Sequence, residues 1–293
     1  MNTYSNKISP EQAEKIKEQL AGAAFDVIDY SLWRAKTSSF QVTYYKSGKI
    51  LVQGKDISDI CGKIDKIVGI ENYNAKKYNE IKINSEKYIG TDESGKGDFF
   101  GPLVIAGVQI NETIKKQYID LGVKDSKKID DKKILKLADV IKNSSVNSVI
   151  VINPLKYNEL YLKFNNLNKL LAWGHARAIE NILEKSPCRY ALADKFGDEN
   201  LIKNALMQKG RTINLEQRVR AEEDIAVAAA SVLARAEFIK RIKYLEDKYM
   251  ISFSKGASQK VIEEGNLFIK KYSYTELKEV AKMHFKTVNE LEK

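Results

Sequence analysis

The sequence is short of the residues that make covalent or metal staples. Its 293 residues include two cysteines, Cys61 and Cys188. They lie far apart and neither belongs to a Cys-x-x-Cys pair, which argues against a zinc site. Cys61 falls on the apolar face of an expected helix and is most simply a core thiol. With two histidines, no Ser-His or Cys-His set for covalent catalysis is evident. No stretch approaches the ~18 consecutive apolar residues of a membrane span. The first residues, MNTYSNKISPEQ, are polar and do not read as a secretory signal. There is no internal repeat and no low-complexity segment. The expectation is a monomer in a reducing cytoplasm, with no membrane association.

Other features point to a class of partner. The length allows one large domain or two smaller ones, and a hydrophobic share of 43% is ample for a core. Lys and Arg number 49 against 39 Asp and Glu, a formal net charge of +10. That balance suits a polyanion, because lysines that neutralise phosphates release counterions. A lysine-rich composition alone would give the same number.

The most informative stretch is residues 86–110, EKYIGTDESGKGDFFGPLVIAGVQI. Apolar runs at Tyr88-Ile89 and from Leu103 to Val108 bracket a short loop, so the stretch reads as strand, tight loop, strand. Asp92 and Glu93 sit at the end of the first run. Adjacent acids repel unless a cation lies between them, and an oxygen-rich acidic pocket is what Mg²⁺ or Mn²⁺ prefers. Successive side chains on a regular strand point to opposite faces. Both acids can therefore serve one metal site only if the strand ends or kinks there. Gly95 and Gly97 permit that, and their backbone amides could approach a sugar or phosphate closely, with Lys96 adding charge. A polar hairpin loop with incidental acids fits the pattern equally well.

TDESGKGDFFGPLV resembles the first active-site motif of the prokaryotic type 2 ribonucleases H, most closely its Gly-Lys-Gly form in ribonuclease HIII. Asp125-Ser126-Lys127-Lys128, Asp194 at the end of an apolar run, and RAEEDIAVAAASVLAR over residues 220–235 support it. The resemblance covers roughly residues 86–290. It implies an α/β fold: a ribonuclease H-like mixed five-stranded sheet flanked by helices. It also implies a divalent-metal endonuclease, using Mg²⁺ or Mn²⁺ in a two-metal mechanism. That enzyme would cut the RNA strand of RNA–DNA hybrids and leave 3′-hydroxyl and 5′-phosphate ends. Asp92, Glu93, Asp194 and Glu222 are then the catalytic, metal-holding acids. Glu223 and Asp224 crowd the last position, and helix N-terminal charge explains such a cluster as well. Gly95, Lys96 and Gly97 become substrate contacts, as do Ser126 and Lys127. The alternatives are a ribonuclease HII-like enzyme for single ribonucleotides in DNA, and a non-catalytic nucleic-acid binder.

The organisation expected is an N-terminal domain over 1–70, a polar linker over 71–84 and a catalytic domain over 85–293. Ser9-Pro10-Glu11-Gln12 is a capping-box helix start. Strands are expected at Phe25–Tyr30, Ser39–Tyr45 and Ile50–Gln53, with a turn at Ser47-Gly48. A helix through Ile57, Ile60, Cys61, Ile64 and Ile67 follows. The order resembles the N-terminal domain of ribonuclease HIII, which is like half of the TATA-box-binding protein. That resemblance implies a nucleic-acid-gripping sheet face, with Lys46, Lys49, Lys55 and Tyr44 or Tyr45 as candidates. Further on, Asp130 should cap a helix with Ile134, Leu137, Ala138 and Ile141 inside. Val149–Ile152 should be a strand. Helices are expected at Asn168–Leu183 and from Glu222 to Tyr249, with small residues Ala226–Ala230 for close packing. His175, alone on an apolar helical face, reads as a packed, hydrogen-bonded side chain. The lysine-rich tract 258–293 should be helical, anchored by Leu267, Tyr272, Leu277 and Val280, either wrapping the catalytic domain or touching nucleic acid.

Overall fold

The computed structural model describes residues 2–20, 22–54, 57–68 and 86–292. The chain divides into two compact units, Met1–Lys82 and Ile83–Lys293. The expected linker and Lys55 lie outside the described residues.

The first unit is an antiparallel sheet in the order β1-β5-β4-β3-β2. Its strands are β1 (Asn2–Lys7), β2 (Ala24–Asp26), β3 (Ser31–Lys36), β4 (Phe40–Tyr45) and β5 (Lys49–Gly54). Helices α1 (Pro10–Glu18) and α2 (Ser58–Val68) complete it. The capping box forms as its residues dictate, with Ser9 Oγ accepting from the Gln12 amide and Gln12 Oε1 accepting from that of Ser9. Alternation along β3, β4 and β5 sends Trp33, Ala35, Val42, Tyr44, Ile50 and Val52 into one core with Ile16 and Ile64. Two strands were not anticipated, β1 and β3. The strand expected over Phe25–Tyr30 stops at Asp26, because Ser31 closes a turn there. Its hydroxyl donates to the Ile28 carbonyl while its oxygen accepts from the Ile28 amide. Tyr30 takes a left-handed φ of 64° in that turn. Tyr44 is corrected as a candidate contact: it is 4% exposed, with its ring 5.8 Å from that of Trp33. Tyr45, next along β4, is half-buried, and Lys46 and Lys49 are exposed.

The second unit holds, among the described residues, a five-stranded mixed sheet in the order β10-β9-β6-β7-β8. β6 (Lys87–Ser94), β7 (Leu103–Asn111) and β8 (Val146–Ile152) run antiparallel. β9 (Tyr190–Asp194) and β10 (Asn214–Arg218) run parallel to β6. Between β7 and β8 come α3 (Glu112–Asp120) and α4 (Asp131–Ser144), the latter capped by Asp130 with the expected buried stripe. α5 (Pro154–Phe164) and α6 (Leu167–Lys185) lead to β9, and α7 (Glu199–Ala205) leads to β10. α3, α5, α7 and β10 were not read from the sequence.

The long helix α8 (Ile225–Tyr249) packs on one sheet face and α6 on the other. It begins at Ile225 rather than Glu222, because Asp224 caps it and residues 221–223 form a separate 3-10 turn. The small residues at its start fulfil their expected role. A Cβ on Gly90 of β6 would come within 2.2–2.6 Å of Ala226 and Val227, so strand and helix meet backbone to backbone. That contact seats the N-terminal end of α8 against the middle of β6.

The C-terminal tract forms α9 (Gln259–Lys271) and two 3-10 turns, Thr275–Glu279 and Lys286–Glu290. Leu277 and Val280 are fully buried. Leu267 is not the anchor expected: α9 turns Val261, Ile262, Gly265 and Phe268 inward, and Leu267, off that stripe, is 52% exposed. The tract wraps onto its own unit, as the backbone bridge between Phe100 and Ala281 shows.

Candidate active site

The parallel pairing of β6 with β9 sets Ile89, Gly90 and Thr91 against Ala191, Leu192 and Ala193. The next residue on each strand is an acid, Asp92 on β6 and Asp194 on β9. Both therefore stand where the ladder stops, at the carboxyl ends of adjacent parallel strands, which is where open α/β sheets bind ligands. Arg218 pairs with Asp194 on the next strand over.

Glu93 breaks the expected geometry. β6 neither ends nor kinks at the acid pair: its pairing with β7 continues to Ser94 opposite Val104. Asp92 consequently faces α8, where it meets Ser231. Glu93 faces α6, where Oε2 lies 3.2 Å from His175 Nε2 and Oε1 lies 3.4 Å from Lys96 Nζ. The turn comes one residue later, at Gly95 with φ 88°. A Cβ there would meet the Pro102 carbonyl at 2.2 Å and the Phe238 ring at 2.9 Å, so Gly95 serves the turn and its packing. Gly97 is different. It is exposed, and a Cβ on it would meet nothing within 4 Å, which leaves its backbone open to a ligand.

Each acid is held by a second residue. Ser231 on α8 stands over Asp92, whose Oδ1 accepts from the Glu93 amide at 2.8 Å, and Ser126 Oγ lies 2.8 Å from Ser231 Oγ. The two hydroxyls share one hydrogen bond, in which either can be the donor. Ser126 is 5% exposed. It therefore supports the acid from inside, a correction to its expected place on a substrate phosphate. Lys127, beside it, is exposed. His175 is fully buried, with Nδ1 2.9 Å from Thr91 Oγ1. Its two ring nitrogens thus face one partner each, Thr91 on one side and Glu93 on the other. Its ring stacks 5.0 Å from Phe196, and Lys96 Nζ lies 5.7 Å from the Phe196 ring centre. The packed reading of His175 holds, yet its partner is one of the site's acids. Neither Ser231 nor Phe196 was singled out from the sequence. The only signal was position, Ser231 closing the alanine run and Phe196 two residues after Asp194.

At the fourth position, Asp194 Oδ1 accepts from the Ala221 amide at 3.1 Å. That bond ties the 3-10 turn, and so half-buried Glu222, to the neighbourhood of Asp194. Asp224 is spent elsewhere: it caps α8 through the Ala226 and Val227 amides and accepts from the Tyr88 hydroxyl. Glu223 is exposed.

The electrostatics divide the acid pair. Burial, then the neighbouring Glu93 charge, pushes the Asp92 carboxyl well above the usual carboxylate range, with Asp194 adding to the rise. Burial acts on Glu93 in the same sense, but the hydrogen bond and charge of His175, with Lys96, outweigh it and hold Glu93 below its ordinary value. Asp92 thus lacks a counter-charge, and carboxylate oxygens are the donors a hard divalent cation takes. Among the described residues no group of three or more His, Cys, Asp and Glu side chains already stands close enough to hold an ion. The donor chemistry fits a divalent ion, while Glu93 is turned to its protein partners.

Comparison with known proteins decides the family. The family model described as Ribonuclease HII matches residues 89–288, and one described as a domain of unknown function, DUF3378, matches residues 5–77. The ribonuclease HIII of Protochlamydia amoebophila is 41% identical over 94% of this chain and 92% of its own. The chain belongs to the ribonuclease HIII family. Ribonuclease HIII of Chlamydia abortus is 39% identical over 98% of the chain and 97% of its own. Among solved structures, Bst ribonuclease HIII in complex with Mn²⁺ matches at 25% identity and a TM-score of 0.66, covering 98% of this chain and 97% of that one. Ribonuclease H3 of Aquifex aeolicus matches at 30% identity and a TM-score of 0.57, covering 96% and 99%. As a ribonuclease HIII, the chain is an endonuclease of the ribonuclease H class that acts on RNA–DNA hybrids, and its fold is the ribonuclease H-like sheet described above with an N-terminal domain.

The raised Asp92 carboxyl has a consequence for stability. Between the ordinary carboxylate value and the raised one, the folded state holds a proton the unfolded state has lost, so stability falls as pH rises through that window. Asp92→Asn removes the penalty. In chelator, its melting temperature should exceed wild type by more at about pH 8 than at about pH 5, with each kcal/mol worth roughly 2–4 °C. Thermal melts giving the same difference at both pH values would contradict the raised carboxyl.

Proposed function

We propose that Asp92, Glu93, Asp194 and Glu222 are the catalytic acids of this ribonuclease HIII and hold Mg²⁺ or Mn²⁺. The observation that carries this is the arrest of the β6–β9 ladder one residue before two acids, beside a glycine whose backbone is open. Divalent ions bound there would activate the attacking water and stabilise the leaving 3′ oxygen, giving 3′-hydroxyl and 5′-phosphate ends. The chain's own residues do the rest. Ser231, backed by Ser126, orients the Asp92 carboxylate. His175 and Lys96 hold Glu93 ionised. The Gly95-Lys96-Gly97 loop presents backbone to the ribose 2′-hydroxyls that distinguish RNA from DNA, with Gly97 as its open point. Lys127, exposed beside Ser126, contacts a backbone phosphate.

The first unit, over 1–70 with its linker at 71–84, serves as a substrate-binding domain. Its support is the sheet face away from α1 and α2. That face carries Tyr45, Lys36 and half-buried Arg34, with Lys46 and Lys49 at the β4–β5 turn. The same reading makes the enzyme a cytoplasmic monomer, acting where hybrids arise in replication and repair. Among the described residues no helix is long and apolar enough to cross a membrane.

Asp92→Asn should abolish Mg²⁺-dependent cleavage of a labelled hybrid, a loss of at least about a hundredfold, while hybrid affinity stays within about twofold. Retained turnover in a clean preparation would remove Asp92 from the mechanism. Deleting residues 1–82 should weaken hybrid binding by tenfold or more, about 1.4 kcal/mol, while the remaining unit, which has its own core, still folds. An unchanged affinity would reduce the first unit to a structural role.

A further inference from the structure

Lys282 is fully buried, an uncommon place for an ammonium. Its Nζ donates to three main-chain carbonyls, those of Asp98 at 2.7 Å, Gly101 at 2.7 Å and Phe100 at 3.4 Å. Three donors meet three acceptors, so the group is satisfied without a carboxylate partner at its tip. All three carbonyls belong to the stretch that leaves the Gly95-Lys96-Gly97 loop and returns the chain to β7. The Lys282 backbone grips the same stretch. Its amide donates to the Phe99 carbonyl at 2.9 Å, and the Gly101 amide donates to the Val280 carbonyl at 2.8 Å. Gly101 has a φ of 80°, a conformation this clasp helps to hold.

The clasp is anchored at its far end. Asn158 on α5 donates to the Lys278 and Ala281 carbonyls and accepts from the Met283 amide. A second strand of chain holds the loop independently, through the Gly256 amide on Asp98 Oδ1 at 2.6 Å and the Phe99 amide on the Gly256 carbonyl. A buried amino group spent on the carbonyls of Asp98, Phe100 and Gly101 costs desolvation that packing alone does not require, and burial holds its pKa down to about 7. What it fixes is the tilt of those peptide planes, and with it the aim of the loop upstream.

We propose that Lys282 is a positioning residue for substrate recognition, holding the loop so that the Gly97 backbone faces the RNA strand. This rests on the reading of Gly95–Gly97 as the ribose-contacting loop. Lys282 touches neither substrate nor the acids, and a simple loss of folded enzyme would lower kcat and leave KM unchanged. Loss of aim does the reverse.

The test compares Lys282→Met, Lys282→Arg, Asn158→Ala and Gly97→Ala in the full chain, by steady-state kinetics on a uniform RNA–DNA hybrid and by thermal melting. Lys282→Met keeps the stem and removes the donors. It should raise KM about tenfold or more, as the loss of a well-aimed binding hydrogen bond does, with kcat within about twofold. Lys282→Arg should recover part of the loss. Asn158→Ala loosens the clasp while leaving Lys282 and its three carbonyls in place and should raise KM in the same sense but less, and it carries the test alone should Lys282→Met fail to fold. Gly97→Ala adds a methyl in open space and should raise KM with no change in melting temperature. If Gly97→Ala leaves KM unchanged, the loop reading itself fails. If Gly97→Ala raises KM while Lys282→Met, or Asn158→Ala in its place, gives wild-type KM or a loss in kcat alone, the loop reading stands and the role of Lys282 is overturned.

Discussion

A parallel ladder three residue pairs long fixes where the acids of this sheet stand. Because Thr91 pairs with Ala193 and nothing beyond it pairs, Asp92 and Asp194 stand side by side at an open sheet end. Shifting that register by one residue would turn one of the acids to the opposite face. The ladder is itself held from above, where Gly90 lets the backbone of α8 reach β6. That contact brings Ser231 over Asp92, and a side chain on Gly90 would separate them.

Around this constraint the two acids of one strand acquire different characters. Asp92 faces α8, with Ser231 beside it and Ser126 behind, and accepts from the Glu93 amide, none of which brings it a positive charge. Glu93 faces α6 and receives a histidine and a lysine, which keep it ionised. The opposition is a product of strand alternation, the same alternation that made a shared site look impossible on a regular strand. The strand is regular: its pairing with β7 runs through both acids to Ser94, and it turns them to opposite sides. Lys282 applies the same logic to the loop, substituting a buried ammonium for the regular pairing that a tight turn lacks.

Much of this was legible in residue order. The capping box at Ser9, the Asp130 cap and the stripe through Ile134 and Ile141 follow from local chemistry, and each forms as its residues require. Asp92 stood out as one of two adjacent acids ending an apolar run, whereas Asp194 was reached only through the resemblance to the ribonucleases H. What the chain order could not show lies in long-range pairing. β10 and β3 carry alternating polar residues that mimic loops until a neighbour gives them partners. Ser126 and Ser231 are 105 positions apart, and their contact exists only once α8 has packed on β6. Tyr44 alternates with polar residues on the apolar side of its strand and was a candidate contact only through the resemblance; its pairing with Trp33 keeps it in the core. Lys282 gave a faint signal, a lone cation between Val280-Ala281 and Met283, but its role needed the carbonyls it binds.

The claim on which all of this turns is that the carboxylates of Asp92 and Asp194 share a divalent ion. Anomalous scattering from crystals of the full chain soaked in Mn²⁺ tests it most directly. The account predicts a manganese peak in contact with oxygens of both side chains, at roughly 2.0–2.6 Å, the range of oxygen ligation by hard cations. Manganese bound at other carboxylates, with none between Asp92 and Asp194, would contradict it.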